Sequence, residues 1–224
     1  MKSRSEIEQG LVLAVVSELR QSIETRGYAS LLVSGGSTPI QLFQQLSYRD
    51  IAWEKVNIIP VDDRFLPDYH PDQNGTLIRE HLLQNKAAKA NFIPLILDAT
   101  NAAKNLELVK KSIPEKESPF TVVILGMGTD GHTASLFPCS AELEEGLDDN
   151  NQNQLLITNP TSAPYQRISF TKQALLNTEN LYLHCYGDAK KEILDSLEAN
   201  PETKYPIKAL LHQHKIKPEI FWTK

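Results

Sequence analysis

A histidine in a glycine-rich segment is the strongest candidate for chemistry in this sequence. The segment reads Gly126-Met-Gly-Thr-Asp-Gly-His132 and follows an apolar run typical of a buried strand. Asp130 and His132 stand two residues apart, a spacing that points both side chains to the same side of an extended chain. A neighbouring carboxylate can orient an imidazole and stabilise its protonated form. We predict proton transfer by His132; the alternative is that His132 caps a following helix.

The same segment satisfies the G-x-G-x-x-G pattern of dinucleotide-binding folds, with acids about 20 residues further on, at Asp148 and Asp149. Three observations argue against nucleotide binding. Asp130 would put a carboxylate into the turn that should hold a pyrophosphate. Asp148 and Asp149 fall in an acidic, Asn/Gln-rich stretch, Glu142 to Gln154, that is typical of a solvated loop. The segment also lies in mid-chain rather than opening a strand-helix-strand unit.

A second glycine-rich segment, Ser34-Gly-Gly-Ser-Thr-Pro39, is suited to hold an anion. Its glycines allow backbone N–H groups to approach a ligand closely. A helix that begins at Pro39 with Thr38 as its N-cap would add partial positive charge, and Ser37 adds a hydroxyl donor. The alternative is an ordinary strand-to-helix turn with a good cap. Because the Lys-Ser/Thr ending of a P-loop is absent, nucleotide hydrolysis is not predicted.

A third polar cluster, Asp62-Asp63-Arg64, follows the apolar run from Val56 to Val61. Arg64 could hold substrate oxygens or pair with a carboxylate, or it could form a surface ion pair of little energetic value. Ligands of open α/β sheets bind beyond the carboxyl ends of the strands. We therefore expect the three clusters, which follow Val33, Val61 and Leu125, to share one crevice.

Strand-like and helix-like segments alternate along the chain. The apolar strands lack a polar face, as expected of parallel strands that are buried on both sides. The pattern predicts one α/β domain over residues 1–224, a Rossmann-like, doubly wound, mostly parallel sheet with helices on both faces. Strands are predicted at 29–33, 56–61, 120–125, 155–158, 167–171, 181–186 and 219–222, and helices from residue 7 to Gly27 and at 39–46, 74–83, 188–197 and 206–212.

Composition limits the function classes. The chain of 224 residues has a net charge of -5, so neither nucleic acid nor an anionic membrane surface is an expected partner. No apolar run approaches the roughly 20 residues of a membrane span, and no signal peptide is recognisable. Cys139 and Cys185 form neither a disulfide framework nor a metal-ligand spacing, which favours a reducing compartment, the cytoplasm. His212 and His214 are expected at a solvated helix end rather than in a metal site.

Taken together, the clusters resemble those of the 6-phosphogluconolactonase family. The resemblance rests above all on the long and highly specific segment Gly126-Met-Gly-Thr-Asp-Gly-His-Thr-Ala-Ser-Leu-Phe-Pro138. It also includes Ser34-Gly-Gly-Ser-Thr-Pro39, Asp62-Asp-Arg64 with His70 and Asn74 after it, Arg167-Ile-Ser-Phe-Thr171 and Gly187-Asp-Ala-Lys190. These segments occur in order over most of the chain. Asp63 stands where the family usually has a glutamate, so we leave it out of the predicted site.

The resemblance implies a sugar-phosphate isomerase/deaminase-like fold. It implies hydrolysis of 6-phosphoglucono-δ-lactone to 6-phosphogluconate, in the oxidative pentose phosphate pathway, with no metal or cofactor. The expected partner is therefore a small phosphorylated sugar lactone, bound by a monomer or a small homo-oligomer. The implied general base is His132, with Asp130 and Arg64 near it. The implied substrate-binding and phosphate-binding residues are Gly35, Gly36, Ser37, Thr38 and Asp62, with positive charge from Arg167 and Lys190.

Two other functions fit the same motifs less well. Aminosugar-phosphate deaminases share the Ser-Gly-Gly loop and Asp-Gly-His, but after the histidine they usually read Ile-Ala-Phe-Asn-Glu-Pro, and this chain reads Thr133-Ala-Ser-Leu-Phe-Pro138. A non-catalytic sugar-phosphate sensor would not require both Asp130 and His132. Ser135 is not expected to be a nucleophile, because nothing in the sequence marks it as activated.

Overall fold

The computed structural model describes residues 3–199 and 205–224. Its strands are β1 (Ala29–Val33), β2 (Val56–Pro60), β3 (Asp62–Arg64), β4 (Asn91–Phe92), β5 (Phe120–Leu125), β6 (Leu155–Thr158), β7 (Arg167–Phe170), β8 (Thr178–Tyr186) and β9 (Glu219–Thr223). Its α-helices are α1 (Arg4–Arg26), α2 (Ile40–Ser47), α3 (Asn74–His81), α4 (Ala102–Ser112), α5 (Leu143–Leu147), α6 (Lys172–Leu176), α7 (Asp188–Ala199) and α8 (Pro206–Leu211).

Six strands form a parallel central sheet in the order β4-β2-β1-β5-β8-β9. The chain builds from β1 to one edge and then from β5 to the other, so the strand order reverses between these two neighbours. In open α/β folds this reversal is where ligands bind, outside the carboxyl ends of the strands. The predicted α/β fold is therefore confirmed, and the segments after β1 and β5 lie at the reversal.

Helices cover both faces of this sheet because successive strand residues point to opposite sides. On β1, Leu31 and Val33 pack with α1, α2 and α3, whereas Leu32 packs on the opposite side with α4, α7 and α8. The N-terminal helix α1 is delimited as its sequence suggests. Ser3 and Glu6 form a capping box at its start, and Gly27 ends it in the left-handed conformation with φ 83°.

A second, antiparallel sheet of three strands in the order β3-β7-β6 was not predicted. The predicted strand 56–61 divides at Val61. Its N–H donates to Val33 of the large sheet, while its carbonyl accepts from Phe170 of the small one. Asp62 and Arg64 therefore belong to a strand rather than to a loop.

Other local expectations need adjustment. The stretch from Glu142 to Gln154, expected as a loop, contains the short helix α5, in which Gly146 is buried. Cys185 is 2% exposed and packs in the core, whereas Cys139 is exposed, and neither forms a disulfide. Across the two described stretches of chain, no helix combines the length and the apolar character needed to cross a bilayer.

Candidate active site

A cavity of about 260 Å³ opens at the carboxyl ends of β1 and β5. Most of the residues singled out in the sequence line it: Gly35, Gly36, Ser37, Thr38, Asp62, Arg64, His132 and Arg167. Asp130 and Lys190 are not among its lining residues. The three polar clusters thus meet in one crevice.

The segment from Ser34 to Pro39 leaves hydrogen-bond donors open to this cavity. In the described part of the chain, the backbone N–H groups of residues 35–38 have no hydrogen-bond partner, and neither do the hydroxyls of Ser37 and Thr38. Gly36 has φ 86°. The predicted cap at Thr38 is wrong, because the N-cap position is Pro39, in helical conformation and without a side-chain cap. An uncapped helix start with free amides is suited to an anion.

Ser34 joins the two glycine-rich segments. Its hydroxyl donates to the carbonyl of Ile124 over 3.1 Å and accepts from the N–H of Gly126 over 2.8 Å. Its own N–H also donates to Ile124. The start of the anion loop (Ser34–Pro39) is therefore hydrogen-bonded to the start of the histidine loop (Gly126–His132).

The carboxylate of Asp130 contacts the ring of His132, with 2.5 Å between Oδ1 and Nδ1. The contact does not come from an extended chain, as the two-residue spacing suggested, because Gly131 between them has φ 73°. This left-handed turn folds the carboxylate onto the ring. A methyl group at Gly128 would lie 2.1 Å from Nδ1 of His132 and 2.5 Å from Oδ1 of Asp130. The pair therefore occupies space that only glycine leaves free.

His132 does not cap a helix, since the next one, α5, begins at Leu143. Its ring instead stacks on Phe137, with centroids 4.0 Å apart. Partial burial acts to raise the pKa of Asp130, but the charge and N–H groups of His132 hold it below its usual value. An ionised Asp130 accepts from Nδ1–H, and Nε2 is then the unprotonated base of a ring that lines the cavity.

Arg64 is held by the start of α3. Its Nη1 donates to the carbonyl of Asp72 and to Oδ1 of Asn74, each over 2.8 Å. Asn74 in turn donates from Nδ2 to the carbonyl and the carboxylate of Asp62. Asp63, which we left out of the site, is buried and accepts from the N–H groups of Arg64, Asn74 and Gly75. It therefore fixes β3 to α3 and does not line the cavity.

Arg167 lies on β7 directly opposite Arg64 on β3. Its Nη1 is 4.0 Å from Oδ2 of Asp62, its Nη2 donates to the carbonyl of Pro164, and its buried Nε has no partner among the described residues. Asp62 also accepts from the buried hydroxyl of Ser135 over 2.5 Å. Ser135 thus orients a carboxylate, and it lies outside the cavity lining.

Lys190, which the resemblance implied at the phosphate, lies near the start of α7 and is not among the residues that line the cavity. Its ammonium donates to the carbonyl of Met127 in the segment that carries His132. Burial lowers the pKa of Lys190, while Cys185 and Asp130 raise it. In this structure Lys190 is thus hydrogen-bonded to the histidine loop.

His184, which was not predicted from the sequence, lines the same cavity. It lies inside the apolar run of β8, without a flanking glycine or a neighbouring acid, so no local pattern distinguished it from a core residue. Within residues 3–199 and 205–224, no group of three His, Cys, Asp or Glu side chains could hold a metal ion. His212 and His214 are exposed.

Known proteins resemble this chain over its whole length. Residues 2–222 match the family described as glucosamine-6-phosphate isomerases/6-phosphogluconolactonase. A curated 6-phosphogluconolactonase of Rhizobium meliloti is 38% identical over 219 residues, which cover 97% of this chain and 94% of the relative. The crystal structure of a 6-phosphogluconolactonase from Shewanella baltica superposes with a TM-score of 0.94 at 41% identity, covering 100% of this chain and 96% of the other.

Proposed function

The chain belongs to the glucosamine-6-phosphate isomerase/6-phosphogluconolactonase family, and from this premise we propose that it hydrolyses 6-phosphoglucono-δ-lactone to 6-phosphogluconate with His132 as general base. The reaction is that of its curated relatives, and it belongs to the oxidative pentose phosphate pathway. One observation supports the proposed site most strongly. The unpartnered amides of the Ser34–Pro39 segment and the ring of His132 line one cavity. A phosphate and a reacting carbonyl of one small molecule can therefore be held together.

Nε2 of His132 takes a proton from a water molecule, whose oxygen attacks the lactone carbonyl carbon. Asp130 keeps the proton on Nδ1 and stabilises the imidazolium that forms. Arg64, held by Asn74 and Asp72, stabilises the negative charge that develops on the carbonyl oxygen. When the bond between the carbonyl carbon and the ring oxygen breaks, His132 returns the proton to that oxygen. The mechanism requires no metal, cofactor or covalent intermediate.

The phosphate binds at the opposite end of the cavity, at the start of α2. Its ligands there are the backbone N–H groups of Gly35, Gly36, Ser37 and Thr38 and the hydroxyls of the last two. Arg167 supplies the positive charge that this segment lacks, and Asp62 accepts hydrogen bonds from substrate hydroxyls. Lys190 contributes positive potential from behind the histidine loop. We further propose a cytoplasmic enzyme that acts as a monomer or a small homo-oligomer; its two unpaired cysteines are consistent with a reducing compartment.

The test is hydrolysis of freshly prepared 6-phosphogluconolactone at controlled pH, corrected for spontaneous ring opening. We expect wild type to exceed the spontaneous rate, and His132→Ala to lose about 100-fold or more in kcat. His212→Ala, at an exposed histidine, is the matched control and should match wild type. A His132→Ala variant as fast as wild type would remove His132 from the mechanism. Release of ammonia from glucosamine-6-phosphate would instead support the deaminase alternative.

A further inference from the structure

A second histidine has a ring nitrogen without a partner beside the anion loop. His184 is 2% exposed, lines the cavity with Ser34 and Gly35, and follows Leu183, which pairs with Leu125 at the end of β5. Its Nδ1 is buried and has no hydrogen-bond partner among the described residues. A buried polar atom left without a hydrogen-bond partner lowers the stability of the fold. Because His184 is one of the residues that line the cavity, a bound ligand is the candidate for the missing partner.

The other ring nitrogen is held by a chain of buried polar groups. Nε2 of His184 lies 2.5 Å from the hydroxyl of Tyr186, which donates to Oε1 of Glu8 on α1. Glu8 is 0% exposed, and Arg4 lies over the ring of Tyr186. In the described residues, Glu8 and Arg4 are the charged groups that face this chain, and both come from α1.

The number of protons shared by Glu8, Tyr186 and His184 decides whether Nδ1 donates or accepts a hydrogen bond. With Glu8 ionised, the Tyr186 hydroxyl donates to it and accepts from Nε2–H of His184, so Nδ1 carries only a lone pair. With one proton more, Glu8 donates to Tyr186, Tyr186 donates to Nε2, and the ring proton moves to Nδ1. Nδ1 then becomes a donor while the ring stays neutral. These three hydrogen-bonded side chains thus convert protonation of the Glu8 carboxylate into a change of tautomer at His184.

We propose that His184 binds the phosphate of the substrate through Nδ1–H, and that Tyr186 and Glu8 are positioning residues that set its tautomer. This inference rests on the proposed function. A donor fits here because the neighbouring groups that open to the cavity are the amides of the Ser34–Pro39 segment, which also seek an anion.

The electrostatic surroundings favour a neutral ring over an imidazolium. Burial, followed by the charge of Arg4, lowers the pKa of His184 to about 4. Burial raises the pKa of Glu8 against the opposing effects of Tyr186 and Arg4. The proton that turns Nδ1 into a donor is therefore held by Glu8 and lost as the pH rises, so binding of a dianion at Nδ1 weakens in the same direction.

The experiment compares competitive inhibition by 6-phosphogluconate and by gluconate, which lacks the phosphate. His184→Gln retains an amide on the Tyr186 side and loses the nitrogen at the position of Nδ1. Because a hydrogen bond to a charged group is lost, its preference for 6-phosphogluconate should fall about tenfold or more, with gluconate inhibition unchanged. His184→Asn, which keeps an amide near Nδ1, should retain most of that preference. An equal preference in wild type and His184→Gln overturns the proposal.

The second readout uses sulfate, whose charge does not change between pH 4.5 and pH 8. Inhibition of wild type by sulfate should weaken across this range, and Tyr186→Phe, which cuts the chain, should flatten the profile. Identical pH profiles of sulfate inhibition in wild type and Tyr186→Phe also overturn the proposal. If neither His184 variant folds, this measurement alone decides. Lactone hydrolysis by wild type is measured in parallel. If wild type hydrolyses the lactone but the His184 variants keep the wild-type phosphate preference, only the role of His184 is refuted. If wild type does not hydrolyse the lactone, the proposed function is refuted.

Discussion

Arg64 and Arg167 are cross-strand partners in the small antiparallel sheet, so two guanidinium groups lie side by side at the wall of the cavity. Like charges directly opposite one another destabilise a sheet. Burial lowers the pKa of Arg167, Asp62 raises it, and the charge of Arg64 lowers it again. Asp62, with its Oδ2 4.0 Å from Nη1 of Arg167, offsets the charge of Arg64 but not the cost of burial, which has the largest effect on this pKa. We therefore expect an anionic ligand to stabilise the two guanidinium groups.

Replacing Arg167 should impair substrate binding more than turnover. In Arg167→Gln we expect KM for the lactone to rise about tenfold or more, as a charged hydrogen bond is lost, with kcat little changed. Steady-state kinetics on fresh lactone measure both constants. Arg20→Gln, at an exposed arginine on α1, controls for the loss of one positive charge. An unchanged KM in Arg167→Gln would refute its role at the phosphate.

Asp130→Asn tests whether the carboxylate sets the tautomer of His132. An amide that donates to Nδ1 would force the ring proton onto Nε2 and leave no base facing the cavity. We expect kcat to fall by about 100-fold or more, with a similar KM. Circular dichroism and thermal melting check that the fold is retained. Turnover equal to that of wild type would show that another group orients the ring.

Gly128→Ala should damage catalysis by displacing the ring of His132. The added methyl group would overlap the space of Nδ1 of His132 and Oδ1 of Asp130. A shift of the ring by about 1 Å can lower kcat by about 100-fold. The matched control is Gly10→Ala in α1, where the new methyl would meet only Phe221 at 3.8 Å. That control should keep wild-type kcat and raise the free energy of unfolding by up to about 1 kcal/mol.

The carboxylate of Glu142 should stabilise the segment before β7, and this stabilisation should be lost in acid. Burial acts to raise its pKa, but donors from Asn159 and Ser140 lower the pKa of Glu142 to about 2. Because the folded-state pKa lies below the unfolded value, this stabilisation is complete above about pH 4.5 and is lost as the pH falls towards 2. Urea unfolding at pH 5 and pH 3 should therefore show a smaller loss of stability in Glu142→Gln than in wild type. Glu144→Gln, at an exposed glutamate, should lose as much stability as wild type.

The central sheet was predictable because its strands are apolar and separate. Phe120–Leu125 is buried along its whole length, and a run of that kind has few alternatives. Helix α4 escaped prediction because it buries only Asn105 and Val109, too few residues to produce a recognisable stripe. The strand β3 escaped because all three of its residues are charged. Its strand character comes from pairing with β7, which no local pattern encodes.

The site was predictable to the extent that glycines frame it. Two glycine-rich segments after apolar runs, together with the rule for parallel sheets, were sufficient to bring the anion loop and His132 to one crevice. The pairing of Arg64 with Arg167 could not be inferred, since it depends on the unpredicted small sheet. His184 could not be found either, because its partner Glu8 lies on a helix at the other end of the sequence.

The turn that holds His132 is completed from far along the chain. The N–H of Ile207 in α8 donates to the carbonyl of Gly131 over 3.0 Å, and the ring of Tyr205 packs against the same glycine. During synthesis, the histidine loop therefore emerges from the ribosome well before the segment that fixes it. A nascent chain whose residues 205–211 have not yet emerged carries the catalytic groups without this support, so activity is expected only after that segment has left the ribosome.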